Sequence, residues 1–173
     1  MGAIFNVFPL ILIPVIIYNI WAFATAGLAP GQELQPCIDA ILLNAGEASR
    51  SENFETGARI LCHLENRENP FLNVGMASGA HWIMTFGDVM VLLAILLLFI
   101  ELLKSTSTGT AAIFNHALSM LVFIICLVEF LLHPAFATSV FFIIMIMSLL
   151  DVLAGVVVTI ISARRDVEFA GQH

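Results

Sequence analysis

Long apolar runs alternate with polar segments along most of the chain. Four of the runs reach the length of about 20 residues that a helix needs to cross a hydrocarbon core of about 30 Å. They cover residues 4–26, 82–103, 111–132 and 137–161. The pattern therefore predicts an all-α integral membrane protein with four transmembrane helices. The first run ends in small residues that would also suit a signal peptide, but no Lys or Arg precedes it, which favours a retained helix.

One long polar segment, residues 27–81, separates the first two apolar runs. Pro36 suits the first turn of one amphipathic helix, and a capping-box pattern of Ser49 and Glu52 suits the start of a second. The apolar positions at helical spacing are Leu34, Ile38, Ile41 and Leu42 in the first helix and Phe54, Ala58, Leu61 and Leu64 in the second. We therefore expect this segment to form a small extracytoplasmic helical hairpin between transmembrane helices 1 and 2.

Two of the three cysteines lie in this hairpin. Cys37 falls in the first turn of one predicted helix and Cys62 near the last turn of the other, so antiparallel packing would bring them together. A disulfide there would persist in an oxidising compartment and contribute on the order of 3 kcal/mol. Inert free thiols and a redox-active pair are the alternatives, although a reactive pair usually has the C-x-x-C spacing that the sequence lacks.

Composition and charge restrict both the class of protein and its orientation. The chain is 60% hydrophobic and 11% charged, with a mean hydropathy of +1.01 and a net charge of -7. Six Lys and Arg residues are too few for a nucleic-acid partner. Lys104, Arg164 and Arg165 would fall on one side of a four-helix bundle, which predicts that both termini are cytoplasmic. Trp21 and Trp82 would lie at the opposite interface.

These assignments divide the chain into four parts. The parts are transmembrane helix 1 (1–26), an extracytoplasmic loop domain (27–81), transmembrane helices 2 to 4 (82–163) and a cytoplasmic tail (164–173). In a bacterium the membrane would be the inner one and the loop domain would be periplasmic. Pro9 and Pro14 predict a kink in the first helix, because each removes a backbone donor.

Polar residues inside the predicted spans are the candidates for function. A stripe on the third helix and a second on the fourth should face protein or water rather than lipid. The simpler interpretation is that these groups hold helices together. The alternative is an ion or proton path formed by Asp88, Glu129, Asp151, Asn115, Ser119 and Ser148. Asp151 has no basic residue at its depth, so we expect it to be protonated or hydrogen-bonded to the third helix.

Two histidines, His81 and His133, lie at the outer ends of neighbouring predicted spans and could ligate one haem axially. The sequence contains no G-x-G-x-x-G, P-loop or H-E-x-x-H motif, so it identifies neither a cofactor nor an enzymatic reaction. The rings of Phe136, Phe141 and Phe142 suit contacts with lipid, with a pigment or with another helix, and we favour lipid contact.

The order of several motifs resembles uncharacterised four-span inner-membrane proteins of alphaproteobacteria. The motifs are Gly87-Asp88 at the start of a Leu-rich span, the run from Leu98 to Lys104, Asn115-His116, Glu129-Phe130-Leu131 and Arg164-Arg165-Asp166, and the resemblance covers residues 82–167. It implies a bacterial inner membrane. The layout is also similar to claudins, but their Gly-Leu-Trp-Cys-Cys signature is missing, so that family is rejected.

The function predicted from these features is non-enzymatic. We expect an accessory or structural subunit of a membrane complex, or a self-assembling homo-oligomer in the lipid bilayer. A small ion or proton channel or transporter that uses intramembrane carboxylates is the alternative, and a haem-binding membrane subunit is a third possibility. The first helix, nearly uncharged, is expected to contact lipid or a partner.

Overall fold

Three helices in the computed structural model of the protein are long and apolar enough to cross a membrane, over Phe86–Lys104, Phe114–Leu132 and Ser139–Ile161. The structure describes residues 8–27, 31–46, 51–104 and 110–170. Within these ranges the helices are α1 (Leu12–Ala26), α2 (Gln35–Ala45), α3 (Glu52–Leu64), α4 (Phe86–Lys104), α5 (Thr110–Leu132) and α6 (Ser139–Ala170). A two-stranded antiparallel sheet, β1 (Leu72–Gly75) and β2 (His81–Met84), precedes α4, and a short 3-10 turn, Pro134–Phe136, joins α5 to α6.

The first predicted span is observed only as a shorter helix. α1 has 15 residues, whereas a crossing needs about 20. Pro9 lies in a turn before it, and the prediction for residues 4–7 falls outside the described part of the chain. The predicted kink at Pro14 is wrong. Pro14 lies in the first turn of α1, where a missing backbone donor removes no helical hydrogen bond.

Of the three membrane-sized helices, α6 is central, because it contacts both α4 and α5. Together with α1 these helices form a four-helix bundle with one buried core. The core includes Tyr18, Met90, Cys126, Phe141 and Ile144. The outward faces of α4, α5 and α6 carry exposed apolar side chains such as Leu96, Ile124 and Val157. An apolar interior with an apolar exterior is the pattern of a helix bundle surrounded by hydrocarbon.

The predicted hairpin of helices is confirmed as α2 and α3, which we call the cap. Leu34, Ile38, Ala58 and Cys62 form its own small core. The opposite side of α3 contributes Ile60 and Leu64 to the core of the bundle, so α3 connects α2 to the bundle. The N-cap of α3 is Ser51, whose hydroxyl accepts from the Phe54 backbone N–H at 3.3 Å. The predicted N-cap, Ser49, lies outside the described residues.

The β-hairpin is the element that the sequence interpretation missed. Trp82, predicted to begin a transmembrane helix, lies instead in β2 opposite Val74, and α4 begins only at Phe86. The strands are joined by a turn in which Gly79 has a φ of +82°, a conformation that favours glycine. Leu72, Val74, Trp82 and Met84 alternate along the strands and therefore share one apolar face of the hairpin.

Candidate functional site

Among the residues whose burial the structure describes, the largest group of buried polar side chains lies at the end of the bundle away from the cap. We call Glu101, Asn115, Ser119 and Asp151 the distal polar cluster. Their exposed fractions are 0%, 3%, 0% and 1%. They come from three helices, since Glu101 lies near the end of α4, Asn115 and Ser119 in the first half of α5, and Asp151 in the middle of α6. Three membrane-sized helices thus meet at one set of polar atoms.

Glu101 accepts hydrogen bonds from three donors. The Leu10 backbone N–H lies 2.9 Å from its Oε2, the Asn115 Nδ2 lies 2.5 Å from its Oε1, and the Lys104 Nζ lies 3.0 Å away. Lys104 also donates to the Phe8 carbonyl at 2.8 Å. Glu101 and Lys104 therefore form an i to i+3 ion pair on α4. Glu101 additionally fastens the segment before α1 and the start of α5 to α4.

Asp151 is joined to α5 through Ser119. The Ser119 Oγ lies 2.6 Å from the Asp151 Oδ2 and 3.1 Å from the Asn115 carbonyl oxygen one turn earlier. This confirms the expected hydrogen bond between Asp151 and the third predicted span. Because Asn115 contacts Glu101 and Ser119 contacts Asp151, the two carboxyl groups are bridged by a single turn of α5, about 6 Å along its axis.

The other predicted path residues lie apart from this cluster. Asp88 forms a capping box with Thr85 at the start of α4, its Oδ2 accepting from the Thr85 N–H at 2.8 Å and from the Thr85 hydroxyl at 2.9 Å. Glu129 accepts from the Asn19 side chain of α1 at 3.2 Å. The Ser148 hydroxyl donates to the Met145 carbonyl of its own helix at 2.7 Å. Each of these three side chains therefore forms a hydrogen bond with another protein group outside the distal polar cluster.

Asp88 also borders a cavity with a volume of about 200 Å³. It opens at the cap end of the bundle and is lined by Glu65, Arg67, Thr85, Gly87, Asp88 and Val140. Gly87 lets α4 pack closely against α6 beside this cavity, because a Cβ at Gly87 would collide with the Val140 side chain. The cavity therefore lies at the opposite end of α4 from Glu101.

The two candidate haem ligands have separate surroundings. His81 lies on the exposed hairpin, where its Nδ1 shares a hydrogen bond with Asn73 at 2.9 Å. His133 caps the 3-10 turn by accepting from the Ala135 N–H at 3.3 Å, and its ring packs edge-on against Phe23 and Phe136. Among the described residues no group of three or more His, Cys, Asp or Glu side chains could hold a metal ion.

Aromatic residues that were expected to meet lipid instead bind α1 to the bundle. Phe136 and Phe141 are fully buried and pack against Tyr18 with ring centroids 5.6 and 4.8 Å away. The Tyr18 hydroxyl donates to the Ala135 carbonyl at 3.2 Å and shares a 2.7 Å hydrogen bond with Thr138. The favoured lipid contact is wrong for these two rings, which make the helix contact that was the alternative, whereas Phe142 is 43% exposed.

In the cap, Cys37 and Cys62 form the predicted disulfide, with their Cα atoms 6.0 Å apart. The third cysteine, Cys126, is free and buried in the core of the bundle. His63, next to the disulfide, has its pKa lowered from 6.5 by burial, an effect that Glu33 opposes and Arg59 reinforces. The disulfide is therefore a covalent tie between α2 and α3 of the cap.

Comparison of the chain with protein-family models, with curated proteins and with solved structures finds no match. The distal polar cluster and the cap are therefore interpreted from their own chemistry.

Proposed function

We propose that the chain is a multi-pass integral membrane protein that acts as a non-enzymatic accessory or structural subunit, either within a larger membrane complex or as a homo-oligomer. The observation that carries this proposal is the use of its polar side chains. Asp88 caps a helix, Glu129 holds α1, and Asp151 holds α5, all through hydrogen bonds to protein atoms. Such contacts fix helices relative to one another, as interhelical polar groups do in membranes.

We place the protein in a bacterial inner membrane, with the resemblance to alphaproteobacterial four-span proteins as the basis for that location. Both termini are assigned to the cytoplasm because Lys104, Arg164 and Arg165 follow the ends of α4 and of the fourth apolar run. The cap is then periplasmic, which agrees with its disulfide, since oxidising compartments preserve such bonds. A first membrane crossing before the cap is part of this proposal.

The cap end of α4 supports this placement. Only Thr85 separates β2 from α4, and Trp82 is 50% exposed on the apolar face of the hairpin. Tryptophan favours the lipid headgroup region. We therefore assign Trp82 and its neighbours to the membrane surface, where the apolar face of the hairpin contacts lipid instead of water.

The experiment that tests the proposed function is native mass spectrometry of the protein extracted from its own membrane in mild detergent. We expect a discrete assembly, either an integer multiple of the 18.8 kDa chain or a fixed-stoichiometry complex with a second protein. The same preparation, reconstituted in proteoliposomes, should leave an imposed pH or sodium gradient intact. A monomeric protein that dissipates such a gradient, and stops doing so in Asp151→Asn, would contradict the proposal.

The second candidate function, a small ion or proton transporter, is favoured by one observation. The distal polar cluster contains two nearly fully buried carboxyl groups, Glu101 and Asp151, within a helix bundle. Intramembrane ionisable residues are costly and often mark ion or proton pathways. The gradient measurement distinguishes this function from the structural one.

A further inference from the structure

The hydrogen atoms in the distal polar cluster can be counted. A serine hydroxyl has one hydrogen to donate and two lone pairs that accept. Ser119 Oγ lies within hydrogen-bond distance of two acceptors, the Asn115 carbonyl at 3.1 Å and the Asp151 carboxyl group at 2.6 Å. One hydrogen cannot serve both bonds fully. A second hydrogen is required if both contacts are hydrogen bonds.

Asn115 provides an independent sign of the same shortage. Its side chain is 3% exposed and its Nδ2 donates to Glu101, yet within the described residues its Oδ1 has no hydrogen-bond donor. Buried polar atoms are normally satisfied, so an unpartnered acceptor shows that hydrogens are scarce in this part of α5.

Burial decides which group carries the missing hydrogen. Glu101 has three donors, one of them the Lys104 ammonium, and is therefore satisfied as a carboxylate. In the described part of the chain Asp151 receives one donor at most, and it is 1% exposed. An ionised carboxylate with so little compensation is costly in a membrane interior. A neutral acid that donates to Ser119 Oγ removes the charge and lets both contacts of Ser119 be hydrogen bonds.

The geometry points to Asp151 as a proton-binding site, in which a neutral carboxylic acid donates its hydrogen to Ser119 at neutral pH. Ser119 then donates its own hydrogen to the Asn115 carbonyl. Every step conserves atoms, because the single proton taken up from water stays on the Asp151 carboxyl group. This inference rests on the proposed structural function, which depends on the contact between α5 and α6. It adds a binding site for a proton to that contact.

Charged and titratable neighbours face Asp151 from two other helices. Glu101 and Lys104 act on it from α4, and His116 acts on it from α5. The His116 ring packs against Gly155, one turn after Asp151 on α6, where a Cβ would collide with the imidazole. Both ring nitrogens are buried without a hydrogen-bond partner among the described residues. The Glu101 charge and the Lys104 charge largely offset each other, so neither supplies Asp151 with a counterion of its own.

Infrared spectroscopy of the full chain in lipid tests this site directly. A protonated carboxylic acid has a C=O stretching band that an ionised carboxylate lacks. We expect this band at pH 7 in the wild-type protein, a shift of the band when aspartate is ¹³C-labelled, and no shift when glutamate is labelled. Labelling leaves the fold unchanged, so the assignment does not depend on a variant that might unfold.

Two variants and one change of buffer complete the test. Asp151→Asn should abolish the band, and Ser119→Ala should shift it by removing its acceptor. Glu129→Gln, the matched control at a half-buried carboxyl group, should leave it unchanged. A spectrum without the band at pH 7, or a band that moves with labelled glutamate, would overturn the proposal. A band that sodium abolishes at constant pH would also overturn it, because the ligand would then be a metal cation. The gradient measurement above is independent of all these outcomes.

Discussion

Breaking the disulfide of the cap should release one helix and leave its neighbour in place. α2 packs on α3 through a core of four buried residues and the bond between Cys37 and Cys62. α3 additionally buries Ile60 and Leu64 in the bundle. The double variant Cys37→Ser with Cys62→Ser removes the covalent tie while it preserves the size of both side chains. We therefore expect local unfolding of α2 with retention of α3.

The magnitude follows from the length of the closed loop. The two cysteines are 25 residues apart, and the chain-entropy relation gives about 3.5 kcal/mol for a loop of that size at 25 °C. Since 1.4 kcal/mol is a factor of ten, the opening equilibrium of α2 should rise by about 300-fold. Cys37 is exposed, so the native bond is also accessible to a reductant.

Hydrogen–deuterium exchange with peptide-level mass spectrometry measures this opening in the intact protein. Amides of α2 should exchange about 300-fold faster in the double variant, whereas those of α3 should change little. A reductant should produce the same effect in the wild type and none in the double variant, which serves as the control. Unchanged exchange in α2 would refute the reasoning, as would equal loss of protection in α3.

Three further predictions concern single side chains. Thr85→Ala removes the N-cap of α4 and should destabilise its first turn by about 1 kcal/mol, seen as faster amide exchange there, while Asp88→Asn should cost less because the amide oxygen still accepts. Tyr18→Phe removes a buried hydroxyl that bonds Thr138 and should cost about 1 kcal/mol, measured as a lower thermal midpoint in detergent. Burial lowers the pKa of His63, so the unfolded cap gains its proton first as the pH falls. Cap stability is therefore full above pH 6.5 and declines below it, and His63→Gln should remove that decline in amide-exchange measurements.

The three membrane-sized helices and the cap helices could be predicted because their signals are local. Apolar length indicates α4, α5 and α6, and the spacing of Leu34 and Ile38 indicates α2. The disulfide followed from these two predictions, since antiparallel packing sets which helix ends meet. The hydrogen bond between Asp151 and α5 could be expected because no basic residue lies at the depth of Asp151, although the sequence did not identify Ser119 as its partner.

The β-hairpin was missed because its strands are only four residues long and an apolar strand that runs into a helix resembles the beginning of that helix. Trp82 and Ile83 fit either element by hydrophobicity alone. The available signal was Gly79 between two short alternating runs, which is typical of a turn. That signal competes with the strong preference of tryptophan for a membrane interface, and the structure shows the turn at Gly79.

The role of Glu101 could not be read from the sequence for a different reason. Its pairing with Lys104 is local, but the Leu10 N–H and the Asn115 side chain reach it only because α5 packs at one particular rotation against α4 and a turn precedes α1. Long-range contacts of this kind depend on helix packing. Periodicity shows which face of a helix is polar, but it does not show which partner that face meets.

A small number of polar groups determines how the helices of the bundle are arranged. In hydrocarbon, apolar side chains gain little by leaving lipid for another helix, so packing and interhelical hydrogen bonds decide which helices associate and how they are rotated. Glu101 and Asp151 supply these bonds among α4, α5 and α6, and Tyr18 and Asn19 supply them for α1. A proton on Asp151 is then part of the structure that holds α5 to α6. Removing it would leave the Asp151 carboxylate buried with Ser119 as its one described donor, which would weaken the contact between α5 and α6.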